Sequence, residues 1–284
     1  MHGSEIRKHL HEGTCVFGTH ITSLPNPNAT MLSANMGLDF AFFCTEHLPL
    51  DRNEISLLCR FYSKICKVSP IVRVPSAHNL DFISMTLDAG AEGIIIPYAE
   101  TTEEVQKAAS MVKHRPIKGR YQNELLQGTR KLSPELEKYI TDFNKNNYLI
   151  IGIESVPAIE NLEQLITCAE VDSVFLGPHD ISTSLGIPEQ YEHPLFVSTV
   201  ENVIRSCRVN KVGVGIHLPL ALMNRDILNQ YLAAGMNFLI NGTDIMILQN
   251  AMQSQINTLK QLTNTIRSSQ TNVADDSKLK TCLI

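Results

Sequence analysis

The feature that most constrains this chain is a short apolar run followed by a longer segment of helical period, repeated about eight times. The apolar runs are rich in β-branched and aromatic residues and end at glycine, proline or a polar residue, which is typical of strands. They are TCVFGTHI, DFAFFCTEH, PIVRVP, EGIIIPYA, YLIIGIES, DSVFLGPHD, VGVGIHL and NFLING. Because strands this apolar must be covered on both faces, the pattern predicts a parallel sheet flanked by helices.

Eight such units within about 250 residues predict a (β/α)8 TIM barrel. The competing fold, a doubly wound sheet, would normally carry about six strands and a glycine-rich phosphate loop after the first one. The segment GTHITSLPNPNAT after the first strand contains neither loop motif, so the barrel is favoured. We assign the barrel and a long last helix to residues 1–267 and expect the polar segment 268–284 to be disordered.

Two further segments stand out. Residues 115–147 form a long connection after the fourth strand, where Ser133 and Pro134 predict the start of a helix, and we expect this segment to act as a lid. The last helix is unusually long, and its second half, INTLKQLTNTI, keeps an apolar stripe that we do not expect a single barrel to cover. That stripe predicts contact with another subunit, hence a homo-oligomer.

Composition argues against several classes of partner. The net charge of −5 and a pI near 6.1 offer no basic surface for nucleic acid. No apolar run approaches the ~20 residues of a membrane span, and the N-terminus MHGSEIRKHLHEGT lacks the apolar core of a signal peptide. The seven cysteines form no C-x-x-C pair, a pattern typical of a reduced, cytoplasmic chain.

Two carboxylates end neighbouring predicted strands, at the face where barrel enzymes place their chemistry. Glu154 ends strand five and Asp180 ends strand six, so their side chains can reach one point. Carboxylates that close repel each other unless a proton or cation lies between them, and two hard oxygen ligands with room for water suit Mg²⁺ or Mn²⁺. The alternatives, an N-cap role for Asp180 and a salt bridge for Glu154, stay open.

Arg73 and His47 extend this set of strand-end residues. Arg73 lies inside the apolar run IVRVP and must be paired, either in a structural ion pair or as a fork for an α-keto acid and its enolate. His47 follows Glu46 at the end of strand two and is either an ordinary loop donor or the proton-transfer group. His217 and Asp244 stand at the ends of strands seven and eight.

Several of these runs together resemble the HpcH/HpaI family of metal-dependent pyruvate aldolases. The matching runs, from about Gly18 to Ile247, are AFFCTEHLPLD, PIVRVP, GAEGIIIPYAETTEEVQKA, LIIGIES and DSVFLGPHDISTSLGIP. The resemblance implies a (β/α)8 barrel, commonly assembled as a hexamer of dimers that exchange the last helix. It also implies a divalent metal, Mg²⁺ or Mn²⁺ with Co²⁺ as an alternative, held by Glu154 and Asp180.

The resemblance further implies the roles of the other site residues. The α-keto acid chelates the metal, while Arg73 and His47 fall on the catalytic arginine and histidine of the family. Backbone groups around Gly177, Pro178 and His179 fall where the family binds the substrate carboxylate.

Other positions depart from the family pattern. Cys44 stands where the family has an aspartate that orients the histidine, and a thiol is a weaker hydrogen-bond partner. Gly152 stands where a glutamine is usual, and His20 stands near the place of a tryptophan. His179 and His217 are additional histidines expected at the mouth of the barrel.

The resulting expectation is a lyase that cleaves or forms a C–C bond next to a pyruvate-like enolate, acting on a 4-hydroxy-2-oxo acid. A Schiff-base aldolase is disfavoured because no predicted strand ends in lysine. The alternatives are a decarboxylase or similar lyase of an oxaloacetate-like or acyl-CoA substrate, and a barrel that binds a keto acid without turnover. Cys44 and Gly152 favour the last of these.

Overall fold

A computed structural model describes residues 1–23, 34, 36–217 and 224–280, with side chains as far as residue 264. Residues Met1–Thr243 form one compact unit and Asp244–Ile284 form a second one. Among the six cysteines in the described part of the chain no disulfide bond forms, as the scattered cysteine pattern predicts.

Eight parallel strands form a single sheet in the order β7-β6-β5-β4-β3-β2-β1-β8. They are β1 (Val16–His20), β2 (Phe40–Cys44), β3 (Ser69–Arg73), β4 (Gly93–Ile96), β5 (Tyr148–Ile153), β6 (Ser173–Leu176), β7 (Gly213–Ile216) and β8 (Phe238–Thr243). The sheet closes at Asn237, whose backbone N–H donates to the Val214 carbonyl and whose side chain accepts from the Val214 N–H. The predicted (β/α)8 barrel is therefore confirmed.

The described part of the chain contains twelve α-helices, and those that connect one strand to the next lie along the outside of the barrel. They are α1 (Gly3–Glu12), α2 (Arg52–Phe61), α3 (Leu80–Ala89), α4 (Thr102–Lys113), α5 (Gly119–Leu126), α6 (Pro134–Phe143), α7 (Val156–Glu160), α8 (Leu162–Thr167), α9 (Pro178–Ser184), α10 (Pro194–Val209), α11 (Arg225–Ala234) and α12 (Asp244–Lys280). A π-helical turn, Tyr62–Cys66, extends α2. Side chains of Asp51 and Thr101 cap α2 and α4, which fixes where these helices begin.

The core has two layers, because residues that alternate along the strands point to opposite faces. Phe40, Phe42, Ile95 and Phe175 are among the buried residues that fill the barrel interior, together with Ile6 of α1. Helix α1 therefore closes the N-terminal end of the barrel, which we call the floor. The outer layer packs the other strand face against the surrounding helices.

Charged residues are buried at the floor only as part of ion pairs. Asp172, which precedes β6, is fully buried and accepts from Lys113 Nζ at 2.7 Å and from Arg7 Nε at 3.0 Å. It also accepts from the Leu149 N–H at 2.8 Å and lies 3.1 Å from His11 Nε2. These contacts tie α1 and α4 to β5 and leave the opposite end of the barrel free for the site.

Residues 115–147, which join α4 to β5, do not lie over the mouth, so the predicted lid is wrong. Ser133 caps α6 as predicted. However, α6 contributes Glu137 and Ile140 to a cavity that is also lined by Arg7 of α1 and by Lys113. These partners belong to the floor, at the end of the barrel opposite the mouth.

Helix α12 continues to Lys280, through a segment whose polar composition predicts disorder. Among the described residues, no helix combines the length and apolar character that a membrane crossing would require.

Candidate active site

The two carboxylates predicted to lie together do face each other at the C-terminal mouth. Glu154 follows β5 and is almost fully buried, and Asp180 lies in the first turn of α9. A Cβ atom added at Gly177 would lie 2.8 Å from Glu154 Oε1 and 3.2 Å from Asp180 Oδ2. Because position 177 is glycine, the space between the two oxygens is left open.

Tyr98 holds the other oxygen of each carboxylate. Its backbone N–H donates to Glu154 Oε2 at 2.9 Å, and its hydroxyl donates to Asp180 Oδ1 at 2.7 Å. Burial and the neighbouring carboxylates raise the pKa of the Tyr98 hydroxyl, which therefore stays a proton donor. Tyr98 has φ of 47°, a left-handed conformation that is uncommon for a bulky residue and that is found most often at functional sites.

Asp180 does not act as the N-cap of α9. The cap position is Gly177, and no side chain caps the helix there. Asp180 instead accepts the Tyr98 hydroxyl, so the capping alternative for this carboxylate is not what the structure shows.

Arg73 is buried at the end of β3, where its guanidinium group contacts three other side chains. Its Nε lies 3.0 Å from Glu46 Oε2, and its Nη1 lies 3.5 Å from Glu154 Oε1. Its Nε and Nη2 donate to Cys44 Sγ at 3.3 and 3.1 Å. The ion pair expected from the sequence is present, and Nη1 is the nitrogen directed at the carboxylate pair.

The carboxyl group of Glu154 has a raised pKa. Burial raises its pKa to about 7; the Tyr98 N–H and Arg73 oppose the rise, and the charges of Glu46 and Asp180 add to it. A cation between Glu154 and Asp180 would relieve both the burial cost and the repulsion.

The residues therefore fit a divalent metal as ligands. Glu154 Oε1, which also lies 3.5 Å from Arg73 Nη1, and Asp180 Oδ2 are hard donors on a common open space. Within the part of the chain that the structure describes, no group of three or more His, Cys, Asp or Glu residues is arranged to hold a metal. Two carboxylates that left the remaining coordination positions to water and substrate would suit Mg²⁺.

His47 lies at the rim, with 67% of its side chain exposed. Its Nε2 is 3.7 Å from Glu46 Oε2, and its backbone N–H donates to Cys44 Sγ at 3.4 Å. The acid nearest the imidazole is therefore Glu46, which sequence reasoning noted but did not select, and the Cys44 thiol binds Arg73 instead.

The remaining predicted residues divide between the pocket and its surroundings. His20 and His217 meet inside the barrel mouth with ring centroids 5.0 Å apart. A Cβ atom at Gly152 would lie 3.2 Å from Glu154 Oε2, so this glycine borders the carboxylate pair. His179 is exposed and lies 3.6 Å from Glu189, so its ring is not part of the pocket, whereas Pro178 is buried at the start of α9.

Tyr98 is the main site residue that the sequence reading missed. It follows β4 directly in the run EGIIIPYA, so the rule that chemistry sits at strand ends would have found it. A phenol at that position is less conspicuous than the charged residues and histidines that end the other strands.

A closed (β/α)8 barrel whose strand ends present two carboxylates and an arginine is a barrel enzyme with its active site at the C-terminal mouth. The chain belongs to the HpcH/HpaI aldolase/citrate lyase family, whose model matches residues 23–251. Membership of this family makes it a carbon–carbon lyase.

Individual relatives and structures agree with this assignment. The chain is 28% identical over 255 residues to a 2-keto-3-deoxy-L-rhamnonate aldolase from Shigella sonnei, covering 88% of this chain and 91% of that protein. The HpcH/HpaI aldolase of Desulfitobacterium hafniense superposes with a TM-score of 0.74 at 25% identity, covering 90% of this chain and 96% of that one. The citrate synthase SbnG superposes with a TM-score of 0.72 at 25% identity, covering 90% of this chain and 97% of that one.

Proposed function

We propose that the protein is a divalent-metal-dependent aldolase that cleaves or forms the C–C bond of a 4-hydroxy-2-oxo acid through a pyruvate-type enolate. The observation that carries the proposal is the open space at Gly177, onto which one oxygen of Glu154 and one of Asp180 face. The rhamnonate-type aldolases that resemble this chain support the substrate class.

Glu154 and Asp180 would hold the metal, which when bound supplies Lewis-acid polarisation of the keto oxygen. Mg²⁺ or Mn²⁺ suits the two carboxylates best, with Co²⁺ as an alternative. Arg73 presents Nη1 beside Glu154, where a permanent positive charge stabilises negative charge that develops on the substrate. The fixed contacts of Arg73 with Cys44 and Glu46 hold that charge in place before substrate arrives.

Two groups complete the proposed site. The first N–H groups of α9, next to Gly177 and Pro178, have no partner within the helix and suit the substrate carboxylate. His47 takes the proton from the aldol hydroxyl during cleavage and returns it during synthesis, with Glu46 as its nearest acid.

Metal-dependent exchange of the methyl protons of pyruvate tests the enolate directly. Wild-type protein with Mg²⁺ or Mn²⁺ should exchange these protons, and removal of metal by a chelator should stop the exchange. Absence of exchange with any divalent metal would favour a barrel that binds keto acids without turnover.

Two substitutions test the metal ligands without relying on turnover. Asp180→Ala removes a ligand, and Gly177→Ala places a methyl group 2.8 Å from Glu154 Oε1 while leaving both carboxylates in the chain. Calorimetric titration with Mn²⁺ should show that both variants lose binding, whereas Asp142→Ala, at an exposed position of α6, should bind as wild type does. Binding of full affinity in Asp180→Ala would remove the metal assignment.

Decarboxylation of an oxaloacetate-like acid is a second candidate function. The Cys44 thiol contacts Arg73 and only the backbone of His47, so the imidazole lacks the acid that the family usually supplies from that position. Decarboxylation of the substrate needs a group that accepts the electrons of the breaking C–C bond, but it needs no base to deprotonate an aldol hydroxyl. Release of CO₂ from oxaloacetate, compared with aldol cleavage in the same preparation, separates the two functions.

We also propose that the protein is a cytoplasmic homo-oligomer, hexameric or dimer-based, associated through α12. In support, side chains of Ile245, Leu248, Met252, Ile256 and Leu259 recur at helical spacing and are exposed. A small-molecule α-keto acid is the only other partner that we propose, with no role for nucleic acid or membrane.

A further inference from the structure

A cluster of four rings fills the barrel mouth beside the proposed keto-acid site. We call it the histidine pocket: His20, Phe42, Phe175 and His217. His20 stacks on Phe42 with centroids 4.3 Å apart, and it meets His217 at 5.0 Å. Both phenylalanine rings lie 5.8 Å from the His217 ring.

The histidine pocket is continuous with the residues proposed to bind the keto acid. The Arg73 guanidinium carbon lies 5.8 Å from the Phe42 centroid and 5.5 Å from the Phe175 centroid. Arg73 and His217 therefore contact the same two rings, and Arg73 in turn reaches Glu154. A keto acid bound beside Arg73 that extended past the guanidinium toward these two rings would meet His217.

His217 carries a buried polar side-chain atom that no residue in the described part of the chain satisfies. Its Nε2 is buried and has no hydrogen-bond partner among the residues that the structure describes. Its backbone N–H donates to the Leu176 carbonyl at 3.1 Å, so the position of the residue is fixed by the barrel. A buried polar atom without a partner costs free energy, and such atoms in native proteins are most often explained by function or by a missing ligand.

We propose that His217 forms a polar subsite for a hydroxyl group on the carbon chain of the α-keto acid, beyond the keto carbon. This inference rests on the proposed function and names a feature of its substrate.

The chemistry of the pocket favours a hydroxyl group over a carboxylate. Burial and the charge of Arg73 lower the pKa of His217 to about 4, so the imidazole is neutral near pH 7. A neutral imidazole has one donor and one acceptor nitrogen, and a hydroxyl group can serve as the partner of either one, whereas a carboxylate only accepts. Phe42 and Phe175 exclude water from this hydrogen bond, which makes its loss costly.

Calorimetric titration of the Mn²⁺-loaded protein with two matched ligands tests the subsite. The ligands are 3-hydroxypyruvate and 2-oxobutyrate, in which a methyl group replaces the hydroxyl group. We expect wild-type protein to bind 3-hydroxypyruvate about tenfold more tightly, because a site built for a hydroxyl group rejects the analogue that lacks it. His217→Leu should abolish this preference and leave 2-oxobutyrate binding within about twofold of wild type, and His217→Gln should retain part of it.

A thermal melt of the ligand-free variants supplies a second readout. Because His217→Leu removes an unsatisfied buried atom, its melting temperature should rise, whereas a histidine that only supports the fold would give a fall. Equal affinity of wild-type protein for the two ligands, or a preference that survives His217→Leu, would overturn the subsite alone. Failure of both ligands to bind the metal-loaded wild type would overturn the proposed function, and the subsite with it.

Discussion

Tyr98 determines which carboxylate oxygens are available at the site. It engages Glu154 Oε2 through its backbone and Asp180 Oδ1 through its hydroxyl, so Oε1 and Oδ2 are the atoms left for a metal. Partners of this kind orient metal ligands, and their loss typically weakens metal binding 10- to 100-fold. Tyr98→Phe should therefore bind Mn²⁺ about tenfold more weakly in calorimetry.

The matched control for this prediction is Tyr139→Phe, because Tyr139 is an exposed tyrosine of α6. That variant should bind Mn²⁺ as the wild type does. If Tyr98→Phe binds Mn²⁺ as tightly as the wild type or more tightly, the Tyr98 hydroxyl does not orient Asp180 as a metal ligand.

Cys44 offers a test of the proton-transfer apparatus. Its sulfur accepts the His47 backbone N–H and contacts Arg73, so a carboxylate in its place would lie between the two residues that we propose to be catalytic. We expect Cys44→Asp to raise kcat/KM for aldol cleavage by about tenfold, since general acid–base catalysis improves when the imidazole gains an acidic partner.

Cys44→Ser is the control for this change, because it keeps a neutral group of similar size and should leave the rate nearly unchanged. A fall in rate for Cys44→Asp would mean that aldol cleavage depends more on the intact Arg73–Cys44 contact than on an acidic partner for His47.

The sequence predicts the charged residues of the site well and their neighbours less well. Glu154, Asp180 and Arg73 could be predicted because the ends of parallel strands in a barrel converge on one face. The contacts of Tyr98 could not, since they depend on a left-handed backbone conformation that follows β4. Nor does sequence reveal that the thiol of Cys44 would contact Arg73, because side-chain direction within the mouth is set by packing.

At the scale of elements, the floor of the barrel depends on Asp172. Burial alone would raise the pKa of this carboxyl, but Lys113, His11 and Arg7 outweigh it and lower the pKa to about 2. A carboxyl group with a depressed pKa stabilises the fold above the pKa of about 4 that it has when unfolded. This contribution, about 2 kcal/mol, should disappear as the pH falls from 4 to 2, as denaturant titrations across that range can measure.

Substitution of the same residue tests the ion-pair network at constant pH. Asp172→Asn removes the fully buried partner of Lys113 and Arg7 and leaves them only the half-exposed Glu170 as counter-charge, which should lower the free energy of unfolding by about 3 kcal/mol. Asp142→Asn, at an exposed position of α6, should change it by less than about 0.5 kcal/mol. A similar small effect for Asp172→Asn would contradict the assignment of Asp172 as the residue that ties α1 and α4 to the barrel.

The secondary-structure elements could be predicted from the sequence more readily than their positions around the barrel. Each of the eight apolar runs contains a whole strand or all but one terminal residue of it, because only a fully covered parallel sheet buries such runs on both faces. The start of α6 was predictable from Ser133 and Pro134. Its position at the floor was not, since a helical period shows which face is buried but not what covers it.

At the scale of the whole molecule, α12 carries the proposed contact between subunits. Ile256 and Leu259 are among its exposed apolar side chains, with 44% and 61% of their surface exposed. An exposed apolar stripe on a long helix marks an interaction surface, and its burial against a second copy would stabilise an assembly by roughly 25 cal/mol per Å² of apolar area, before the cost of association.

Introducing charge into this stripe should dissociate the assembly. The double variant Ile256→Glu with Leu259→Glu should elute as a smaller species in size-exclusion chromatography with light scattering, because each glutamate would have to be buried without a partner. Ser254→Glu, an exposed polar position on the same helix, adds a charge outside the stripe and should keep the wild-type mass. If the double variant also keeps that mass, another surface holds the subunits together; if the wild type is itself a monomer, the assignment of α12 as an interface is wrong.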